Sequence, residues 1–239
     1  MSLVLNKIYS DNDYVFAVTN SGLNVVDIDL EQKVAYINYN QGFTSVWAND
    51  NRVYLGTSSS GVKYFYKTCI SGTVLIPENL ITCLNDYTSP FGQSSPSIRY
   101  IHGSSDDYLM CVTTAGVDVY HMKPTMYRSS ATVSGTRKCF MTSTGKFYYT
   151  SVSGATVSGE SDLWSLNRVD KPLWDWTTPD YSYTAGGDIL RAGIGINDIF
   201  ITENTSENGI DNTIFLATSS GIYIISEEDN QYVIYYTKE

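Results

Sequence analysis

The chain has 239 residues, 42% of them apolar, which is enough to bury a substantial core and too many for a disordered segment. With 25 Asp and Glu against 15 Lys and Arg, a formal net charge of -10, it lacks the cationic field that a phosphate backbone demands, so nucleic acid is excluded as a partner. Its 20 Tyr, 8 Phe and 4 Trp, beside abundant Ser, Thr, Asn and Asp, favour strands joined by small polar turns.

The N-terminal run Met1-Ser2-Leu3-Val4-Leu5-Asn6-Lys7 has neither the charge-then-apolar pattern nor the cleavage pattern of a secretion signal. No 18-residue apolar run occurs, so membrane insertion is not expected. From there the apolar and aromatic residues mark a first set of strands near 3–9, 14–19, 23–29 and 33–39, and a second near 43–48, 52–57, 62–67 and 72–76. A third set falls near 98–103, 108–113, 117–122 and 126–132, a fourth near 137–142, 146–151, 162–167 and 173–177, and a fifth near 194–202, 213–218, 222–227 and 231–237.

Five segments inside these sets align. They are Tyr14 to Leu23, Val53 to Val62, Tyr108 to Val117, the degenerate Lys146 to Gly154, and Thr213 to Ile222. Each reads as a strand, a Ser/Thr-rich turn carrying glycine, and a second strand. Glycine supplies the positive φ at the reversal, and the preceding hydroxyl bonds to the turn backbone. The interval from the preceding polar turn to the glycine is 9 residues in four units (13 to 22, 107 to 116, 145 to 154 and 212 to 221) and 10 in the other (51 to 61). A repeated hairpin accounts for that constancy.

The expected fold is all-β, a five-bladed β-propeller of four-stranded antiparallel blades, in which radial stacking covers the sheet faces. One domain would span 1–239, with blades at about 1–40, 41–76, 98–132, 136–177 and 194–239 and long connections at 77–97 and 178–193. A β-sandwich or an irregular solenoid is the alternative. The segments Ala17-Val18-Thr19-Asn20-Ser21-Gly22-Leu23 and Leu216-Ala217-Thr218-Ser219-Ser220-Gly221-Ile222 resemble the short repeats of two-component regulator sensor domains and of WD-like propellers. The resemblance implies a fold more than a function. The chain departs from the sensor proteins in having no kinase or transmembrane segment.

The long connections are where recognition is expected, since surface insertions can vary without disturbing the scaffold. Tyr87 and Phe91 in the first, and Asp180, Tyr181 and Tyr183 in the second, preceded by Trp174 and Trp176, are the candidate binding residues. Large amphipathic rings suit a protein or a sugar. The competing reading makes Trp174 and Trp176 outer-strand residues, and Trp47 and Trp164 packing residues.

Catalytic chemistry has little footing. His102 and His121, 19 residues apart, form no local zinc motif, and neither a nucleophile elbow nor a phosphate loop occurs. Asp11, Asp13, Asp50, Asp106, Asp107 and Asp211 fall in turns, where Asp is at home without a metal. Cys69, Cys83, Cys111 and Cys139, spaced by 14, 28 and 28 residues, suggest reduced, mostly buried thiols and not a disulfide framework. No catalytic residue, cofactor or metal is expected. The expected role is a non-enzymatic interaction or structural protein within a larger assembly, such as a bacteriophage virion, with another protein or a second copy as partner. The location is then a virion or the cytoplasm. The alternatives are a lectin-like carbohydrate binder and a glycan-processing enzyme.

Overall fold

The computed structural model describes residues 4–71, 76–87, 95–104, 108–121, 127–131, 138–142, 146–153, 163–169, 181–184, 195–206, 209–219, 221–228 and 231–236. These residues are all-β apart from two short 3-10 turns, Lys67–Cys69 and Leu80–Cys83, and among them no helix is long and apolar enough to cross a membrane. The chain divides into two compact units, Met1–Ser130 and Ala131–Glu239.

The first unit opens with an antiparallel meander of β1 (Leu5–Ser10), β2 (Tyr14–Thr19), β3 (Gly22–Asp27) and β4 (Gln32–Asn38). A second sheet follows with β5 (Ser45–Ala48), β6 (Arg52–Gly56) and β7 (Val62–Tyr66). The connection beyond β7 then gives a strand to each sheet: β8 (Glu78–Asn79) pairs parallel with β4, and β9 (Asn85–Asp86) pairs antiparallel with β7. The third sheet is β10 (Ile98–Ser104), β11 (Tyr108–Thr113), β12 (Val117–His121) and β13 (Tyr127–Ala131) in that order.

In the second unit, β14 (Cys139–Met141), β15 (Phe147–Ser153), β16 (Leu163–Val169) and β17 (Tyr181–Thr184) form one sheet. The other consists of β18 (Ile196–Ser206), β19 (Gly209–Thr218), β20 (Gly221–Glu228) and β21 (Gln231–Tyr236). Here Ile199, Ile201, Ile214, Leu216, Tyr223 and Ile225 alternate along their strands and pack with Tyr148 and Ile196 into one core, while Phe200 and Ile222 point to solvent. Inside that core the Asn212 side-chain amide donates to the Tyr148 hydroxyl at 3.1 Å, which satisfies two polar groups that burial would otherwise penalise.

The reversals between β2 and β3, β6 and β7, β11 and β12, and β19 and β20 share one chemistry. Gly22, Gly61, Gly116 and Gly221 take φ values of 144°, 72°, 143° and 129°, the region glycine enters without steric cost. Before each, a buried threonine hydroxyl donates to the glycine carbonyl: Thr19 at 3.2 Å, Thr57 at 2.8 Å, Thr113 at 3.2 Å and Thr218 at 2.7 Å. In three of them the same oxygen accepts a turn N–H, from Ser21, Ser60 and Ala115. The fifth glycine of the repeat, Gly154, lies outside the described residues.

The expected five-bladed β-propeller is corrected. The all-β class and the repeated hairpins hold, but the five sheets are open, and no sheet among the described residues is closed or curled into a propeller blade arrangement. The spacing of turns encodes a hairpin, which is local, whereas closure depends on how whole sheets pack, which that spacing does not carry. The strand inventory differs too. The first sheet has five strands and gains a parallel one, and the fourth strand of the second sheet comes from 85–86, within the segment read as an insertion.

Two substitutions separate the roles in the turn. Thr57→Val keeps the shape and deletes the hydroxyl, and should cost about 1–2 kcal/mol in urea unfolding. Gly22→Ala should cost more, upward of ~2 kcal/mol, because an added Cβ would sit 1.8 Å from the Ile37 carbonyl oxygen.

Candidate functional site

The second sheet is buried on both faces, and its alternation sorts the side chains. Val46, Ala48, Val53, Leu55 and Phe65 pack with Phe16, Val18, Leu23 and Val25 of the first sheet. On the other face, Trp47, Tyr54 and Val62 pack with Ile98, Ile101, Leu109, Cys111 and Tyr120 of the third. Register places Tyr54 opposite Tyr64 and Arg52 opposite Tyr66, so these four side chains share the second face.

Along that face the rings form a continuous series from core to solvent. Trp47 stacks on Tyr54 at 5.7 Å, while Tyr87 meets Tyr54 at 5.8 Å, Tyr64 at 6.2 Å and Tyr120 at 5.6 Å, all edge-on. Edge contacts of this kind add about 0.5–1.5 kcal/mol each beyond area burial. The Trp47 ring also covers Gly103, where an added Cβ would approach Cη2 to 2.4 Å, so the close approach requires glycine.

At the outer end Tyr64 and Tyr66 meet edge to face at 5.7 Å. The Arg52 guanidinium lies 5.3 Å from the Tyr64 ring and 5.0 Å from the Tyr66 ring, and it donates to the Tyr66 hydroxyl at 3.2 Å. Tyr66 is 41% exposed. A guanidinium carries five donors in a planar fork, more than two phenols can engage, so the stack offers solvent both aromatic surface and hydrogen-bond donors. Lys63, ion-paired with Asp86, belongs to the opposite face of the same strand, in register with Leu55.

Of the residues the sequence nominated, Tyr87 is 6% exposed and its N–H bonds the Val62 carbonyl at 2.9 Å, so its ring lies beneath the surface that Tyr66 and Arg52 present. Burial pushes its phenol well above the ordinary range, with Tyr54 adding to the effect. Tyr181 and Tyr183 are strand residues of β17, opposite Arg168 and Leu166. Phe91, Trp174, Trp176 and Asp180 lie outside the described residues. Sequence reading missed Arg52, Tyr64 and Tyr66 because they belong to regular strands, and only cross-strand register brings Arg52 to the tyrosines. The signal available was the alternation Tyr64-Phe65-Tyr66 at the end of a strand that leads into a long connection.

Of the turn carboxylates, Asp11 has structural partners, while Asp106 and Asp107 lie outside the described residues. Asp11 Oδ1 accepts from the N–H groups of Asp13 at 2.9 Å and Tyr14 at 2.8 Å, and its Oδ2 pairs with Lys67 at 2.5 Å. Asn49 does the same in the second sheet, accepting from Asn51 and Arg52. Among the described residues no group of three or more His, Cys, Asp or Glu side chains is placed to hold a metal.

No family model matches the chain, and no curated protein does. Solved structures do. The chain is similar to the extracellular domain of BT4673 from B. thetaiotaomicron, described as a putative one-component and as a putative hybrid two-component system, at 14% and 13% identity and TM-scores of 0.61 and 0.58. That match covers 97% of this chain and 29% of the other. It is also similar to the computationally designed protein Ika8, at 11% identity and TM-score 0.56, covering 95% of this chain and 60% of that one. Hsv2 of Kluyveromyces lactis matches at 8% identity and TM-score 0.56, over 98% of this chain and 72% of that one. The chain thus spans less than two thirds of BT4673 and of Ika8. Identities this low show shared fold alone.

The expected kinship with two-component sensor and WD-like propeller repeats is corrected accordingly. What the comparisons support is a distant, partial structural similarity to the BT4673 extracellular domain, without the closed propeller. The comparisons give no support to the virion and carbohydrate-binding expectations.

A second cluster joins the first strands of the three sheets in this unit. Lys7 on β1 donates to the Tyr100 hydroxyl on β10 and lies 4.0 Å from the centre of that ring, while His102 sits 6.5 Å from Trp47. Burial pushes the His102 imidazole down to about 3, and the Lys7 ammonium adds to the effect. A histidine depressed in the folded state stabilises the fold above its unfolded value, about 6.5, and that contribution is lost progressively as pH falls toward the folded one. Between about pH 7 and pH 5, above the range where most carboxylates titrate, the melting temperature of the wild type should therefore fall more steeply than that of His102→Gln. Parallel slopes in a pH series of thermal melts would contradict this.

Proposed function

We propose that this chain is a protein-interaction module, part of a larger assembly, whose contact surface is centred on Tyr66, Arg52 and Tyr64. The observation that carries this reading is the solvent-facing stack of a guanidinium on two phenol rings, held in place from below by Tyr54 and Tyr87. Tyr and Arg dominate the energetic centres of protein interfaces because they bring large contact area and directed donors at small entropic cost. The rigid support matters as much as the groups themselves, since a preorganised side chain loses little freedom on binding.

The local charge of Arg52, against that of the body as a whole, favours an acidic, aromatic-bearing segment as the thing bound. The body carries a net charge of -10, so it repels acidic partners generally, and a local guanidinium between aromatic rings is where such a segment can approach. The similarity to part of an extracellular domain of a putative one- or two-component system agrees with a role in recognition. Phe91, Trp174, Trp176, Asp180, Tyr181 and Tyr183 are proposed as further contacts.

Selection from a random peptide display library on the immobilised protein tests this without a known partner, with the double variant Arg52→Ala/Tyr66→Ala as counter-target. The expected peptides carry acidic residues beside an aromatic one and bind the double variant at least about tenfold more weakly, a loss of ~1.4 kcal/mol, while its melting temperature stays close to that of the wild type. Peptides that bind both proteins equally would sink the assignment. Tyr87→Ala should behave differently and cost about 3 kcal/mol of stability, because it empties the centre of the aromatic series.

A further inference from the structure

The fifth sheet ends in an edge. Its strands β18, β19, β20 and β21 are 11, 10, 8 and 6 residues long and follow one another across the sheet, with β21 last. β20 holds β21 along its whole length, from Glu228 opposite Gln231 to Tyr223 opposite Tyr236. In an antiparallel ladder alternate residues turn their N–H and C=O groups away from the strand they pair with, so β21 presents a second row of donors and acceptors on its far side.

The residues of β21 do nothing to discourage a further strand. Gln231-Tyr232-Val233-Ile234-Tyr235-Tyr236 carries no charge, proline or glycine, and five of its six residues are aromatic or β-branched. The last strands of the other sheets are protected in one way or another. β8 and β9 cover β4 and β7, β13 carries Arg128 within its five residues, and β17 is only four residues long.

We propose that β21 pairs with β21 of a second copy, joining two four-stranded sheets into one continuous antiparallel sheet about a two-fold axis. Symmetry selects the register. An axis that relates two antiparallel neighbours stands normal to the sheet and keeps each face on its own side, so residues paired across it must share a face. Ile234 then lies opposite its own copy, Tyr232 opposite Tyr236 of the second copy, and Val233 opposite Tyr235 of the second copy. Each pair joins β-branched or aromatic residues, combinations that stabilise antiparallel ladders. A foreign strand would have to bring this match with it, whereas a second copy already has it.

Register within the sheet shows which positions can be changed without touching the core. Tyr232, Ile234 and Tyr236 fall in the rows of Glu227, Ile225 and Tyr223, the last two of which are core residues. Val233 and Tyr235 fall in the rows of Ser226 and Ile224, on the other face, where the second row runs on through Phe215 to the exposed Phe200. The edge is separate from the surface at Tyr66 and Arg52 and does not depend on it.

Sedimentation equilibrium of the full chain over a concentration series tests the pairing. A six-residue edge makes a small interface, so the wild type should pass reversibly from monomer to dimer with a Kd on the order of 10 µM. Val233→Lys/Tyr235→Lys and Val233→Glu/Tyr235→Glu each set like charges opposite one another, so each alone should dimerise at least about tenfold more weakly. An equal mixture of the two should restore the dimer, and Arg52→Ala/Tyr66→Ala should dimerise like the wild type. Cross-linking reads the register with milder changes: Val233→Cys mixed with Tyr235→Cys and oxidised with diamide should link 233 to 235 at least about tenfold faster than either variant links to itself. A wild type that stays monomeric up to about 1 mM, charged variants that dimerise as well as the wild type, a mixture that stays monomeric, or Val233→Cys that links to itself as fast as the mixture would each overturn the pairing.

Discussion

The threonine–glycine clasp is the contact on which the rest of the architecture depends. A hydroxyl buried without partners would oppose folding, yet in the four central hairpins whose turns are described it donates to the glycine carbonyl three or four residues on, and in three of these it also accepts an N–H from the turn. The reversal is thereby fixed by residues only a few positions apart, with little loop entropy to overcome. The strands so positioned supply the core: Phe16 and Val18 on β2, Val53 and Leu55 on β6, Leu109 and Cys111 on β11, and Ile214 and Leu216 on β19.

From that scaffold the proposed surface follows by simple alternation. A strand buried on both faces must be apolar throughout, and β6 nearly is, whereas β7 is buried only at Val62 and Phe65. Where the sheet reaches solvent the same face continues with residues that tolerate both environments, so the series passes from Tyr54, fully buried, through Tyr64 to Tyr66 and Arg52. Recognition chemistry here is an extension of core packing. It is not a loop laid over a finished scaffold, and the rigidity of the one is borrowed from the other.

The sequence revealed much of the strand content. The expected strands at 14–19 and 108–113 coincide with β2 and β11, and most others differ by one to three residues at an end. Those boundaries are legible because glycine with positive φ and the Asx-type turns at Asp11 and Asn49 are local devices. The expectation of a closed ring failed because closure concerns contacts between whole sheets, which a local repeat of turns does not encode. The connection at 77–97 misled for a related reason: its strands are two residues each, too short to leave a periodic pattern, and their partners lie tens of positions away. Among the binding residues, an aromatic ring in a polar segment signalled exposure, yet Tyr87 turns inward because Tyr54, Tyr64 and Tyr120 leave room for it. Arg52 was invisible as a site because its significance is a matter of register.

The short pairings of β8 and β9 carry a consequence for behaviour in a crowded solution. An uncovered strand edge is an adhesive template, ready to recruit the edge of another molecule. β4 and β7 would each present such an edge, and a single stretch of chain shields both of them. Protection against aggregation is therefore concentrated in one place: a nick or an insertion between residues 67 and 87 would bare two sheets at once, leaving a folded protein that sticks to itself.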